Sequence, residues 1–85
     1  LVNMLGGFVS IEHGVKGPNL SSVTACAAGT HAISEACKTI ICGGADKMLV
    51  VSAECAITGA GIGGFAAMKA LSTRNDDPQK ASRPF

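Results

Sequence analysis

Aromatic side chains are nearly absent from this 85-residue sequence, which has no Trp, no Tyr and only three Phe. A chain of this length is at most one small domain, and it has few large side chains with which to fill a core. Its 47% hydrophobic content is accompanied by 11 glycines, so small residues dominate. Such a composition is typical of elements packed closely inside a larger body. We therefore expect residues 1–85 to be an internal segment of a longer protein, marginally folded and inactive when isolated.

Charge is also scarce. Only 15% of the residues are charged and the formal net charge is +1, which gives no basis for nucleic-acid binding. No apolar run reaches the roughly 20 residues that a membrane span requires, so we expect no membrane association. The one local excess of charge begins at Lys69, after which basic residues outnumber acidic ones.

None of the four cysteines forms a Cys-x-x-Cys pair, and this spacing argues against a zinc site. They are Cys26, Cys37, Cys42 and Cys55. The chain is not cysteine-dense, so reduced thiols in a cytoplasmic protein are the simpler interpretation. We expect no metal, and we expect the last three cysteines to lie in the core.

Hydrophobic periodicity predicts alternating helices and strands. The near-continuous apolar run Lys47–Ser52 is typical of a buried parallel strand, and a helix without a clear polar face is typical of a buried helix. The resulting order indicates an α/β fold with right-handed crossovers. The predicted elements are a helix over 1–13, a strand over Leu20–Ala25, a buried helix over Ala27–Ile41, a strand over Lys47–Ser52, a glycine loop over Gly59–Gly64 and a helix over Phe65–Leu71.

Cys26 is the candidate nucleophile because it lies where the first predicted strand meets the buried helix. The first N–H groups of a helix are unpaired, and together with the helix dipole they favour a thiolate. The same groups can donate to the oxyanion formed when a thioester is attacked. The neighbours of Cys26 are all small, as a sharp strand-to-helix turn requires. A buried structural cysteine is the alternative that these residues leave open.

Several blocks of sequence now resemble the β-ketoacyl-[acyl-carrier-protein] synthases, and in particular their type II branch. The resemblance extends over essentially the whole chain, and the later blocks are more specific than Cys-Ala-Ala-Gly. The blocks are Gly-Pro-Asn-Leu-Ser at 17–21, Val-Thr-Ala-Cys-Ala-Ala-Gly-Thr-His-Ala at 23–32, Gly-Ile-Gly-Gly-Phe at 61–65, Ala-Leu-Ser-Thr-Arg-Asn-Asp-Asp-Pro at 70–78 and Ala-Ser-Arg-Pro-Phe at 81–85.

This resemblance implies the thiolase-like fold, a layered αβαβα body of two similar halves, with this chain as part of the N-terminal half. It implies an acyltransferase of fatty-acid biosynthesis that loads an acyl group on a cysteine and condenses it with malonyl carrier protein, losing carbon dioxide. The substrates are carried on the phosphopantetheine of acyl carrier protein, and no other cofactor is implied. The family forms homodimers in which the strand before the nucleophile pairs across the two-fold axis.

The resemblance also implies roles for particular residues. Cys26 corresponds to the nucleophile, and Ala25, Gly61 and Phe65 would line the acyl pocket, although core packing is an equal alternative for Phe65. Lys69 falls where the family has a cation facing the carrier protein or its pantetheine arm. The two catalytic histidines of the family lie C-terminal to this segment. His31, five residues after Cys26, is therefore interpreted as a hydrogen-bonded helix histidine.

Three alternatives stay open. A polyketide ketosynthase relative would have similar motifs, and a non-catalytic partner subunit usually lacks the cysteine that is present here. A nucleotide-binding module is a third, because residues 59–64 match Gly-x-Gly-x-x-Gly. That fingerprint should follow its strand directly, yet the apolar run stops near Ser52, and Asp76 and Asp77 lie in a polar loop.

Overall fold

The computed structural model describes all of residues 1–85 and contains three α-helices and two short 3-10 turns. It divides into two compact units, Leu1–Ala53 and Glu54–Phe85. The helices are α1 (Met4–His13), α2 (Ala28–Ile41) and α3 (Gly59–Ala67), and the 3-10 turns are Ala25–Ala27 and Pro78–Lys80.

All three helices end in the same way. A residue with a left-handed backbone follows each of them, with φ of 61° at Gly14, 74° at Gly43 and 58° at Lys69. Gly14 comes directly after α1, and the other two are separated by one residue from the ends of α2 and α3. The N–H of that residue and the N–H of the next one bond back to carbonyls of the last turn at 2.8 to 3.5 Å. This is the Schellman motif, in which glycine is favoured because it has no Cβ. Lys69 is therefore the exception among the three.

The structure contains no β-strand, so the α/β alternation predicted from the sequence is not confirmed for this chain. The predicted strands Leu20–Ala25 and Lys47–Ser52 have no regular secondary structure except where the first enters a 3-10 turn at Ala25. Strands exist only as members of a ladder, and no backbone hydrogen bond joins residues 16–23 or 45–55 to another segment. The apolar pattern is present, but its pairing partners are not.

The predicted glycine loop Gly59–Gly64 is also corrected, because it forms the first part of α3. Thr58 has an extended backbone and its Oγ1 accepts a hydrogen bond from the Gly61 N–H at 3.0 Å, which caps the helix. The helix predicted over Phe65–Leu71 thus begins earlier and ends at Ala67. A Gly-x-Gly-x-x-Gly sequence inside a helix that no strand precedes lacks the context of a dinucleotide site.

Burial is slight throughout the chain. Ala36 of α2 is the only buried hydrophobic residue. All four cysteines are free and exposed, so the expectation that Cys37, Cys42 and Cys55 lie in a core is wrong for these 85 residues. A short chain buries only a modest part of its surface, which is the physical reason for this outcome. No helix is both long and apolar enough to cross a membrane.

Candidate active site

The turn that carries Cys26 combines a strained residue with a tight 3-10 turn. Ala25, directly before the cysteine, has a φ of 51°, a left-handed conformation that is costly for a residue with a Cβ. The Ala27 N–H then donates to the Thr24 carbonyl oxygen at 3.1 Å, which closes the turn, and α2 begins at Ala28. Cys26 is exposed at the centre of this turn. The sequence prediction of Cys26 at a sharp entry into a helix is met, although no strand leads to it.

The backbone of this turn leaves the N–H of Cys26 free beside the thiol. The N–H groups of Ala27 and Ala28 donate to the carbonyl oxygens of Thr24 and Ala25. No hydrogen bond involves the N–H of Cys26 itself, and no side chain caps the turn or α2. A nucleophile whose own N–H is free can stabilise the negative charge that develops on the attacked carbonyl oxygen. The structure thus offers the N–H of Cys26 as the donor to an oxyanion, whereas the sequence predicted that several helix N–H groups would serve.

His31 contacts the residue that precedes the turn. Its Nδ1 lies 2.8 Å from the Thr24 Oγ1, a hydrogen bond between exposed groups seven residues apart. The histidine thus has a partner within the chain, as its interpretation as a hydrogen-bonded helix histidine requires. The bond from His31 to Thr24 could not be predicted from the sequence, because a threonine before a helix is expected to cap that helix.

Further along α2, Glu35 accepts a hydrogen bond from Lys38 at 2.8 Å. This bond, more than the charge of the carboxylate, raises the pKa of Lys38. Both side chains are largely exposed, so the pair contributes little to stability. The potential metal ligands of the chain form no group of three or more that could hold an ion.

Small residues and hydroxyl groups make the close contacts around the turn that carries Cys26. A Cβ at Gly29 would lie 3.3 Å from the Ser52 Oγ, so the first turn of α2 approaches residues 47–52 closely. The Ser21 Oγ donates to the Val2 carbonyl oxygen at 3.2 Å. Between these segments lies a cavity of about 490 Å³, bordered by α1, α2, residues 15–25 and residues 47–53.

In the second unit, α3 brings together two of the predicted pocket residues. Gly61 and Phe65 are one helical turn apart and share a face of the helix. A Cβ at Gly61 would collide with the Ala56 carbonyl oxygen, so glycine is required there by close backbone packing. Phe65 is 41% exposed. The third predicted pocket residue, Ala25, belongs to the first unit.

Lys69 and the polar C-terminal segment differ in their pairing. Arg74 lies 3.7 Å from carboxylate oxygens of Asp76 and Asp77, and Lys80 lies 3.2 Å from Asp77. Two of the basic residues after residue 69 are thus paired with acidic residues of the same segment. Lys69 makes no ion pair, so its charge is available to an external group.

An exposed cysteine with a free N–H at the start of a helix defines a candidate site for nucleophilic acyl transfer. The family model described as "Beta-ketoacyl synthase, N-terminal domain" matches residues 1–85. The chain therefore belongs to the β-ketoacyl synthase family, as a segment of its N-terminal domain, and the resemblance read from the motifs is confirmed.

Curated relatives agree with this membership. The chain is 54% identical to "3-oxoacyl-[acyl-carrier-protein] synthase 2" of Coxiella burnetii and 53% identical to the protein of the same name from Vibrio cholerae. It is 48% identical to the mitochondrial 3-oxoacyl-[acyl-carrier-protein] synthase of Arabidopsis thaliana. Each match covers the whole chain, but the chain spans only about one fifth of the length of these relatives.

Proposed function

We propose that the protein to which this chain belongs is a 3-oxoacyl-[acyl-carrier-protein] synthase, an acyltransferase of fatty-acid elongation, and that Cys26 is its nucleophile. The observation that carries the proposal is the turn at Cys26, where an exposed thiol stands beside its own free N–H. The family membership and the names of the relatives support the choice of substrates. We propose that no cofactor beyond the phosphopantetheine of the carrier is needed, and that the enzyme is cytoplasmic.

The turn accounts for the acyl-transfer step in a simple way. The Cys26 thiolate attacks the thioester carbonyl of acyl carrier protein, and the oxyanion accepts a hydrogen bond from the Cys26 N–H. The tetrahedral intermediate collapses, the pantetheine thiolate leaves and takes up a proton, and the acyl group stays on Cys26 as a new thioester. Malonyl carrier protein then loses carbon dioxide, and its carbanion attacks that thioester. The products are a 3-oxoacyl carrier protein and the free Cys26 thiolate.

We propose that Gly61, Phe65 and Ala25 line the channel for the acyl chain. All three leave space or present apolar surface, as an acyl chain requires. Gly61 and Phe65 share one face of α3, which supports a joint role for these two.

We also propose that the intact protein has the layered αβαβα fold, of which this chain forms part of the N-terminal half. Residues 16–23 and 45–55 have no backbone partners, and residues 16–23 and 47–53 border the cavity of about 490 Å³. Unpaired backbone of β-prone composition is expected to join a sheet once strands are supplied. The remaining four fifths of a protein of the relatives' length could supply them.

Product analysis tests the function. The full-length protein is incubated with acyl carrier protein bearing a saturated chain and with malonyl carrier protein. We expect 3-oxoacyl carrier protein, longer by two carbons, and one carbon dioxide for each condensation. Repeated extension of the 3-oxo product would favour the polyketide-type alternative. Absence of any extended product from a folded, reduced protein would contradict the proposal.

Lys69 offers a test of the carrier contact that separates binding from folding. It occupies a left-handed position that the other two helices fill with glycine, so Lys69→Gly removes both strain and charge. We expect the free energy of unfolding of the full-length protein to rise by about 0.5–1 kcal/mol, because glycine adopts this conformation freely. We also expect KM for acyl carrier protein to rise several-fold. A more stable variant with unchanged KM would remove Lys69 from the carrier site.

Assembly is a further proposal. Within Leu20–Ala25, residues 20–23 present unpaired backbone, and an exposed strand edge is prone to pair with another chain. We propose that this segment pairs with its copy in a homodimer. Sedimentation of the full-length protein at micromolar concentration is expected to give twice the monomer mass, and a monomer would contradict the pairing.

A further inference from the structure

Thr24 stands at the capping position of the turn that carries Cys26, but its hydroxyl does not cap the turn. A threonine at such a position normally accepts a hydrogen bond from the N–H of the second or third residue of the turn. Those residues are Cys26 and Ala27, and the Ala27 N–H is already bonded to the Thr24 carbonyl oxygen. The Cys26 N–H is therefore the donor that the Thr24 hydroxyl would take.

The same chain contains a threonine that does cap. Thr58 precedes α3, and its Oγ1 accepts a hydrogen bond from the N–H of Gly61 at 3.0 Å. No histidine is hydrogen-bonded to Thr58, whereas the Oγ1 of Thr24 lies 2.8 Å from the Nδ1 of His31. The two threonines differ in backbone, since Thr24 has ψ of 38° and Thr58 has ψ of 162°. They also differ in their side-chain partner, because a histidine orients the hydroxyl of Thr24 and none is bonded to that of Thr58.

We propose that His31 is a positioning residue, which binds the Thr24 hydroxyl and thereby keeps the Cys26 N–H free for the oxyanion of acyl transfer. The proposal rests on the proposed function, because it requires Cys26 to accept the acyl group. His31 itself touches neither substrate nor thiol in this role. It acts by orienting the Thr24 hydroxyl towards the imidazole and away from the Cys26 N–H.

The first test is His31→Leu in the full-length enzyme, with single-turnover acylation by acyl carrier protein as the readout. We expect the acylation rate to fall about fivefold to tenfold, which is the strength of an ordinary threonine cap competing for the N–H. Alkylation of Cys26 by iodoacetamide should keep its rate, because displacement at a saturated carbon forms no oxyanion. His13→Leu, at the exposed end of α1, is the matched control and should change neither rate.

The second test is rescue by removal of the competitor. Adding Thr24→Val to His31→Leu deletes the hydroxyl that would cap the Cys26 N–H, so the acylation rate should return to within about twofold of wild type. His31→Asn, whose amide can take the place of Nδ1, should also keep the wild-type rate. If His31→Leu does not fold, His31→Gln serves as the disrupting variant.

The outcomes separate this proposal from the proposed function. A double variant as slow as His31→Leu would mean that the pair only tethers the turn, and it would overturn the proposal. An unchanged acylation rate in His31→Leu would overturn it as well. A wild-type enzyme that is not acylated on Cys26 would contradict the proposed function itself, and the role of His31 would fall with it.

Discussion

Replacing Cys26 by serine in the full-length enzyme is expected to lower the rate of condensation at least about a thousandfold while the protein stays folded. A hydroxyl is a far weaker nucleophile than a thiolate at neutral pH, and the turn offers no base within hydrogen-bonding distance of it. Cys26 makes no side-chain hydrogen bond and is exposed, so the serine side chain meets no new constraint. The measurement is the rate of 3-oxoacyl product formation at saturating substrate, with circular dichroism to monitor folding.

The other cysteines supply matched controls for this loss. Cys37, Cys42 and Cys55 are free and exposed in this chain, and none of them lies at the start of a helix. Each replacement by serine is expected to keep the activity within about twofold, since exposed substitutions rarely cost more than 0.5 kcal/mol. Comparable losses in Cys26→Ser and in one of the controls would contradict the special role of the turn.

Gly61→Ala is the second substitution with a large expected effect. A Cβ at this position would collide with the Ala56 carbonyl oxygen and would lie 3.2 Å from the Thr58 Oγ1 that caps α3. Backbone cannot yield as a flexible side chain does, so either the cap or the preceding turn must open. We expect the free energy of unfolding to fall by about 1–3 kcal/mol, as in other overpacked sites. The expected acyl-chain preference also shifts to shorter substrates, because α3 is displaced at the proposed channel.

Gly63→Ala is the control in the same helix. No atom lies within 4 Å of the Cβ that this substitution would add, and the position is inside α3. Alanine is favoured over glycine in a helix interior by up to about 1 kcal/mol, so this variant is expected to be more stable than wild type. Urea denaturation of both full-length variants measures the contrast. Equal and small effects in the two would mean that the close approach at Gly61 does not exist in solution.

The helices of this chain could be predicted from the sequence because their signals are local. Apolar spacing over 1–13 and a stop at Gly14 predict α1, and small residues followed by Gly43 predict α2. The structure bears out both, with α1 starting at Met4 and α2 at Ala28. Helix hydrogen bonds are made within the segment, so they form without the rest of the protein.

The two predicted strands are absent for the opposite reason, because strand hydrogen bonds are not local. Lys47–Ser52 has the composition of a buried strand, but its hydrogen bonds must be made with backbone distant in sequence. The local pattern is therefore necessary for a strand and not sufficient. The prediction of a loop over residues 59–64 is wrong for another reason. It rests on the number of glycines, whereas the capping residue Thr58 decides where α3 begins.

The candidate site was accessible from the sequence only in part. A cysteine between small residues at the start of a helix indicated Cys26, and the family motifs indicated Gly61, Phe65 and Lys69. The left-handed backbone of Ala25 and the hydrogen bond between Thr24 and His31 carry no such signal. Both depend on how the turn folds back, which residue types alone do not specify.

Peptide mapping of the acyl-enzyme tests the central claim most directly. The full-length wild-type protein is mixed with acyl carrier protein in the absence of malonyl carrier protein, quenched in acid and digested. Mass spectrometry is expected to find one acyl group for each polypeptide, attached through a thioester to Cys26 and absent from the Cys26→Ala variant. An acyl group on Cys37, Cys42 or Cys55, or one that persists in Cys26→Ala, would contradict the assignment.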